Sequence, residues 1–255
     1  MFSDRTHCDK IKDETELEIF YAGPNLSKGP LPAVIYFAST AQESLTLDLC
    51  NQPVQCLAND DIRFFSFTLP GHGEGIPNAK MMFDWSEKIE QGQDIVGDFV
   101  RKAKHNIDYL IEQGYIDPSH LAVSGLSRGG FLATHLAAHD ERIKTVLGFA
   151  PLTSFEALEE FHAIIERPLV QALDLRSIVD KLVNKHLRFY IGNRDLRVST
   201  EACFRFIMQL TETAYQTGVR SPLVELIIGP SIGHKGHGTA PHVFADGMNW
   251  LKQNL

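Results

Sequence analysis

Four cysteines in 255 residues, Cys8, Cys50, Cys56 and Cys203, form no CxxC pair and are too few to staple a chain of this size. That excludes a disulfide-built scaffold, and reduced thiols point to a cytoplasmic protein. No apolar run approaches the length of a membrane span. The opening segment MFSDRTHCDKIKDE lacks the apolar core of a signal peptide. Basic runs are missing too, and the formal net charge of −8 argues against a nucleic-acid backbone or an anionic membrane as partner. Neither GxGxxG nor GxxxxGK[ST] occurs, so no nucleotide cofactor is expected. Repeats and low-complexity segments are absent.

What remains is ordinary for a globular protein: 44% hydrophobic and 22% charged residues. A chain of this length is able to bury roughly 70–75% of its unfolded surface. Short, almost continuously apolar runs at 31–39, 62–70, 120–126, 145–151, 187–193 and 223–230 read as strands covered on both faces. Helical patterns lie between them near 43–58, 86–113, 128–139, 199–217 and 241–254. The alternation predicts parallel βαβ units, hence an α/β fold with a doubly wound, mostly parallel sheet. Residues 15–23 suit an antiparallel strand at the N-terminal edge. Residues 152–184 are too long for one crossover. Phe155, Leu158, Phe161, Ile165 and Leu169 recur there at spacings of three and four, which predicts a small helical cap within a single domain of residues 1–255. Its acidic residues Glu156, Glu159, Glu160 and Glu166 read as a solvated face.

The chemistry is carried by VSGLSRGG, residues 123–130. A G-x-S-x-G pentapeptide arises by chance often enough that its context must decide. Here Ser127 directly follows the strand HLAVSGL and directly precedes the helix RGGFLATHLAAH, as a nucleophile elbow requires. Such a turn lifts the hydroxyl above the carboxyl end of the strand, where open α/β sheets bind ligands. It also brings strand and helix too close for side chains at Gly125 and Gly129. The N–H of Arg128 is then available to a developing oxyanion.

A serine hydroxyl needs a base, and the base needs an orienting acid. Asp195 follows the strand LRFYIGN in a loop ahead of the next helix. SIGHKGHGTAP, after the last strand, offers two bases, His234 and His237. His237 is favoured because it lies nearer the terminal helix, with Gly236 and Gly238 around it. The order Ser–Asp–His results. His135 and His139 have the helical spacing of a zinc pair, but Leu136 stands where a metalloprotease needs glutamate. His234, His237 and His242 come with no cysteine or carboxylate at ligand spacing, so no metal is expected.

Together GLSRGG, IGNRDLRV (191–198), TLPGHGEG (68–75) and the histidine loop make the chain resemble the α/β-hydrolase superfamily. It is most similar to compact esterases of the prolyl-oligopeptidase-like and dienelactone-hydrolase-like kinds, from about residue 31 to the C-terminus. The resemblance implies a serine hydrolase working through an acyl-enzyme with Ser127, His237 and Asp195. Members usually carry His-Gly after the strand that here reads AVIYFAS. This chain has Ala38-Ser39-Thr40, so the second oxyanion donor is expected from the main chain of Ser39 or Thr40, with Thr40 preferred. His72 reads as structural. The implied substrate is a small or medium carboxylic ester, since no propeller domain is present to filter peptides. Thioesters, amides and peptides stay open, as does a non-catalytic binding module that keeps the fold.

Overall fold

The computed structural model describes residues 8–11, 15–73, 75, 77 and 80–255. Most of the N-terminal segment discussed above, and parts of the loop after Gly73, lie outside them. Eight strands form one sheet: β1 (Cys8–Lys10), β2 (Ile19–Ala22), β3 (Leu31–Phe37), β4 (Arg63–Phe67), β5 (Ile116–Leu126), β6 (Thr145–Phe149), β7 (His186–Gly192) and β8 (Val224–Gly229). Their order is β1-β2-β4-β3-β5-β6-β7-β8. β1 and β2 run antiparallel to their neighbours, and β4 through β8 are joined in parallel. All six apolar runs became strands. The predicted N-terminal strand is also present, but β1 pairs along its outer side and β2 is not the edge.

Period-two alternation divides each central strand between two cores. In β3, Val34 and Tyr36 face the core shared with Phe244, Met248 and Trp250. Ala33, Ile35 and Phe37 face the other, with Phe99, Val100, Phe131 and Phe206. Helices α1 (Ala41–Thr46), α2 (Gln52–Cys56) and α8 (Pro241–Gln253) cover the first face. Helices α4 (Ile95–Glu112), α5 (Arg128–His139) and α7 (Thr200–Gln216) cover the second, together with α3 (Met81–Glu90).

Two predicted helices are each split. The pattern over 43–58 is α1 and α2, separated by an irregular turn. The pattern over 86–113 begins earlier and breaks after Glu90, where Gly92 takes φ 82° and Asp94 caps α4 through Gly97 N–H. Residues 152–184 differ more. Between β6 and β7 the chain forms 3-10 turns at Phe155–Ala157, Glu159–Phe161 and Leu175–Lys181, with one short helix, α6 (Pro168–Leu173). Phe155, Leu158 and Phe161 are spaced by three, the repeat of a 3-10 turn, and all three are buried. Sequence order reverses across the sheet at β3 and β5: β4 lies on one side, β6 to β8 on the other. Crevices at such switch points, beyond the strands' carboxyl ends, are where this architecture binds ligands.

Candidate active site

Ser127 sits at that switch point. It adopts φ 55° and ψ −119°, a conformation L-residues avoid and one that costs on the order of 1–3 kcal/mol. The β6 connection holds it there: Ser127 N–H donates to Phe149 O (2.9 Å), and Leu152 N–H donates to Ser127 O (3.1 Å). The flanking glycines are required by approach distance. A Cβ on Gly125 would stand 2.2 Å from Gly129 C, and one on Gly129 would stand 2.0 Å from Phe37 O. Helix α5 is thereby pressed onto the ends of β5 and β3.

Ser127 Oγ donates to His237 Nε2 at 2.9 Å, and His237 Nδ1–H donates to Asp195 Oδ2 at 2.7 Å. Asp195 has no exposed side-chain surface. Its other oxygen accepts the amides of Arg197 (2.9 Å) and Val198 (3.0 Å), so the carboxylate is fixed before it meets the imidazole. The two loops are clamped together. Leu196 N–H donates to Lys235 O, and Gly236, at φ 75°, lies so close to the acid loop that a Cβ would stand 2.2 Å from Arg194 O. His234 is exposed at the cavity mouth and makes neither bond. Of the two histidines, the structure brings His237 to the serine.

The second expected donor required a choice between Ser39 and Thr40. Ser39 N–H donates to Ser44 Oγ (3.0 Å), as does Ala38 N–H (3.1 Å), and that hydroxyl in turn donates to Thr40 O (2.8 Å). Ser39 N–H is therefore occupied. Thr40 N–H and Arg128 N–H have no acceptor among the described residues. Thr40 caps α1 through its side chain, which accepts Glu43 N–H. Ser44, fully buried, organises this loop, and no motif in the sequence singled it out. Ser39 Oγ donates to Glu43 Oε2 (2.5 Å) and lies 3.1 Å from His72 Nδ1. The hydroxyl's proton being spent on the carboxylate, His72 Nδ1–H must donate. Burial pushes the His72 pKa down to about 4, with the nearby Arg128 charge adding to the effect, so the ring is neutral.

A cavity of about 560 Å³ opens over the serine. Met82, Phe83, Leu152, Leu158 and Val198 supply apolar wall, and Arg128, Glu159, Glu160, Arg197 and Lys235 supply charge. Glu160 corrects the expectation of a solvated acidic face. Its side chain is 8% exposed and takes Arg197 in a two-pronged pair at 2.7 and 3.0 Å. Amphipathic spacing alone hid this, because the segment bends at each 3-10 turn. A larger cavity of about 670 Å³ between α4 and α5 shares no wall residue with this one. The histidines weighed for zinc are engaged there: His135 Nε2–H donates to Leu173 O, and His139 Nδ1–H to His135 O.

The prolyl oligopeptidase family model matches residues 83–255, which include Ser127, Asp195 and His237. The chain belongs to the prolyl oligopeptidase family. This family member is 27% identical over 150 residues to the acylamino-acid-releasing enzyme of Arabidopsis thaliana, covering 50% of its own length and 19% of that enzyme. It thus spans about a fifth of that relative. Among solved structures, a Thermus thermophilus protein matches with a TM-score of 0.70, covering 98% of each chain at 18% identity. An esterase from Pyrococcus furiosus matches at 0.65, with 14% identity, 98% of this chain and 91% of that one. An acylaminoacyl peptidase from Pyrococcus horikoshii also reaches 0.65, at 13% identity over 97% of this chain and 41% of that one. These likenesses show the α/β-hydrolase fold, and the family match makes the chain a member of a serine-hydrolase family. No helix among the described residues is long and apolar enough to cross a membrane.

Proposed function

We propose that this protein hydrolyses carboxylic esters of small or medium size through an acyl-enzyme. The observation that carries the reading is the unbroken relay from Ser127 Oγ through His237 to Asp195, at 2.9 and 2.7 Å. Ser127 attacks the carbonyl while His237 Nε2 takes its proton and then gives it to the leaving alcohol. Asp195 holds the tautomer that leaves Nε2 free to accept, and offsets the imidazolium's charge. The free amides of Arg128 and Thr40 receive the oxyanion. Water, deprotonated by the same histidine, then releases the acid. A cavity of about 560 Å³ suits a small ligand. The four unpaired cysteines favour a reducing, cytoplasmic setting.

A second reading is cleavage of an amide or peptide bond. It is favoured by the relatives described as acylaminoacyl peptidase and acylamino-acid-releasing enzyme. Both readings share the serine, so one experiment tests that core and another separates them. Labelling by a fluorophosphonate, abolished in Ser127→Ala, supports the nucleophile, while labelling of a folded Ser127→Ala protein excludes it. Comparing kcat/KM for a p-nitrophenyl ester and the matching p-nitroanilide then assigns the bond. A larger value for the anilide overturns the ester reading.

A further inference from the structure

Arg63 and Arg128 both have guanidinium nitrogens shut away from water, and the protein treats them differently. Arg63, in β4, is fully buried. Its nitrogens donate to four backbone oxygens: Pro24 O, Asn25 O, Gly29 O and Tyr115 O, at 2.5 to 3.0 Å. That guanidinium is satisfied, and it staples the loop before β3 to the turn between α4 and β5. Arg128 has nothing of the kind. Its Nη1 is buried without a hydrogen-bond partner, and no described residue pairs with the rest of its guanidinium. Yet the side chain forms part of the cavity wall beside Ser127.

Arg128 as a whole is partly exposed and only Nη1 is shut away, so an unpartnered cation stands at the cavity wall with donors that a ligand entering the cavity is able to satisfy. Burial lowers the Arg128 pKa to about 10, so the side chain is still a cation at neutral pH. Of the three groups that act on it, Arg197 and Glu160 already neutralise one another, and Cys50 is a neutral thiol whose pKa burial raises. Among the described residues one positive charge therefore remains uncompensated at the cavity wall, on the residue whose amide is the proposed oxyanion donor.

We infer that Arg128 recognises a carboxylate carried by the substrate, so that the preferred esters are monoanions with a carboxylate within one arginine side chain of the scissile bond. The inference rests on the hydrolase reading above and names its substrate class. A planar guanidinium fork matches a carboxylate in geometry. A monoanion also fits the charge better than a phosphate dianion does, because Glu159 and Glu160 share the wall and leave no second free cation among the described residues lining it beyond Lys235, which leans on Glu159.

The test uses monomethyl glutarate, with its carboxylate on the acyl side, and carboxymethyl butyrate, with its carboxylate on the leaving side. Each is compared with its neutral primary-amide isostere. For wild type, kcat/KM for one of the acids should exceed that of its amide by on the order of 10²-fold. In Arg128→Gln, which keeps the backbone N–H, the acid-to-amide ratio should fall to about one whatever happens to the absolute rates. Which acid is preferred assigns the side of the bond. Equal rates for both acids and both amides in wild type, or a preference that Arg128→Gln leaves unchanged, would overturn the inference. A second readout needs no turnover. Monomethyl glutarate, a monoanion, should raise the Tm of Ser127→Ala protein and should raise it less when Arg128→Gln is added. Neutral esters cleaved in a Ser127-dependent manner, with no advantage for the acids, would remove the role of Arg128 and keep the hydrolase. If no ester turns over and no fluorophosphonate reacts, the hydrolase reading fails. The monomethyl glutarate shift then decides Arg128 separately: a shift lost with Arg128→Gln supports an anion site, and no shift rejects it.

Discussion

Ser127 is held in a backbone conformation that a serine rarely adopts, and its two partners approach on loops that grip each other. His237 has both ring nitrogens engaged, whereas His234, three residues earlier, points outward from the same loop. His237→Gln should remove nearly all turnover, on the order of a 10⁴-fold loss or more in kcat. His234→Gln should keep at least about a tenth of the wild-type kcat, because it touches neither the serine nor the acid. Steady-state kinetics on a p-nitrophenyl ester checks both, and the reverse ranking would reassign the base. Thr40 offers a sharp test of the oxyanion position, because its φ of −64° is one proline accepts and its N–H has no acceptor among the described residues to lose. Thr40→Pro should lower kcat by roughly 10²–10³ with the fold intact by circular dichroism. Thr40→Ala, which loses only the helix cap, should cost about 1 kcal/mol of stability and little rate. Full activity in a folded Thr40→Pro protein would place the donor elsewhere.

Between elements, the decisive dimension is how closely α5 lies on the strands beneath it. Gly129 meets Phe37 O, and Gly125 meets the backbone of Gly129, so neither position has space for a methyl group. Gly129→Ala should destabilise the protein by at least about 3 kcal/mol, since backbone rather than a side-chain tip must move. Urea denaturation should show this as a lower midpoint. An unchanged midpoint would mean that the strand–helix junction relaxes freely. The G-x-S-x-G motif predicted this crowding correctly. It did not reveal that the segment after β6 would break into 3-10 turns and send Glu160 and Leu158 into the cavity wall. Spacings of three and four are shared by α and 3-10 structure over such short stretches, and only packing against α3 and α7 chooses between them.

For the whole molecule, burial of neutral histidines predicts a sensitivity to acid. His135, between α5 and the segment after β6, has its pKa lowered to about 4 from 6.5, mainly by burial and against the opposing bond to Leu173 O. His72 is lowered to about 4 as well. Both folded values lie below the unfolded one, so between them the unfolded chain binds more protons. Their contribution is complete above pH 6.5 and is lost as pH falls through that window toward 4. Each should cost about 2 kcal/mol by about pH 4.5. His135→Gln, which keeps a donor for Leu173 O, should flatten the decline in unfolding free energy between pH 7 and about pH 4.5. A variant with the wild-type slope would show that His135 does not titrate on unfolding.

The sequence by itself determined the alternation of strands and helices, because apolar runs of strand length must be covered on both faces. It determined the elbow, because Gly125, Ser127 and Gly129 have meaning together only where a strand turns sharply into a helix. It also placed Asp195 and His237 in loops that the fold gathers at one end of the sheet. Tertiary structure decided what depends on distance between segments far apart in the chain. It took Ser39 N–H out of contention by giving it to Ser44, and it lodged Glu160 against Arg197. It left Arg128 Nη1 buried without a partner and the guanidinium unpaired among the described residues. Local sequence records which groups are able to bond. Which of them find a partner, and which are left waiting for one, depends on packing among elements that no short motif contains.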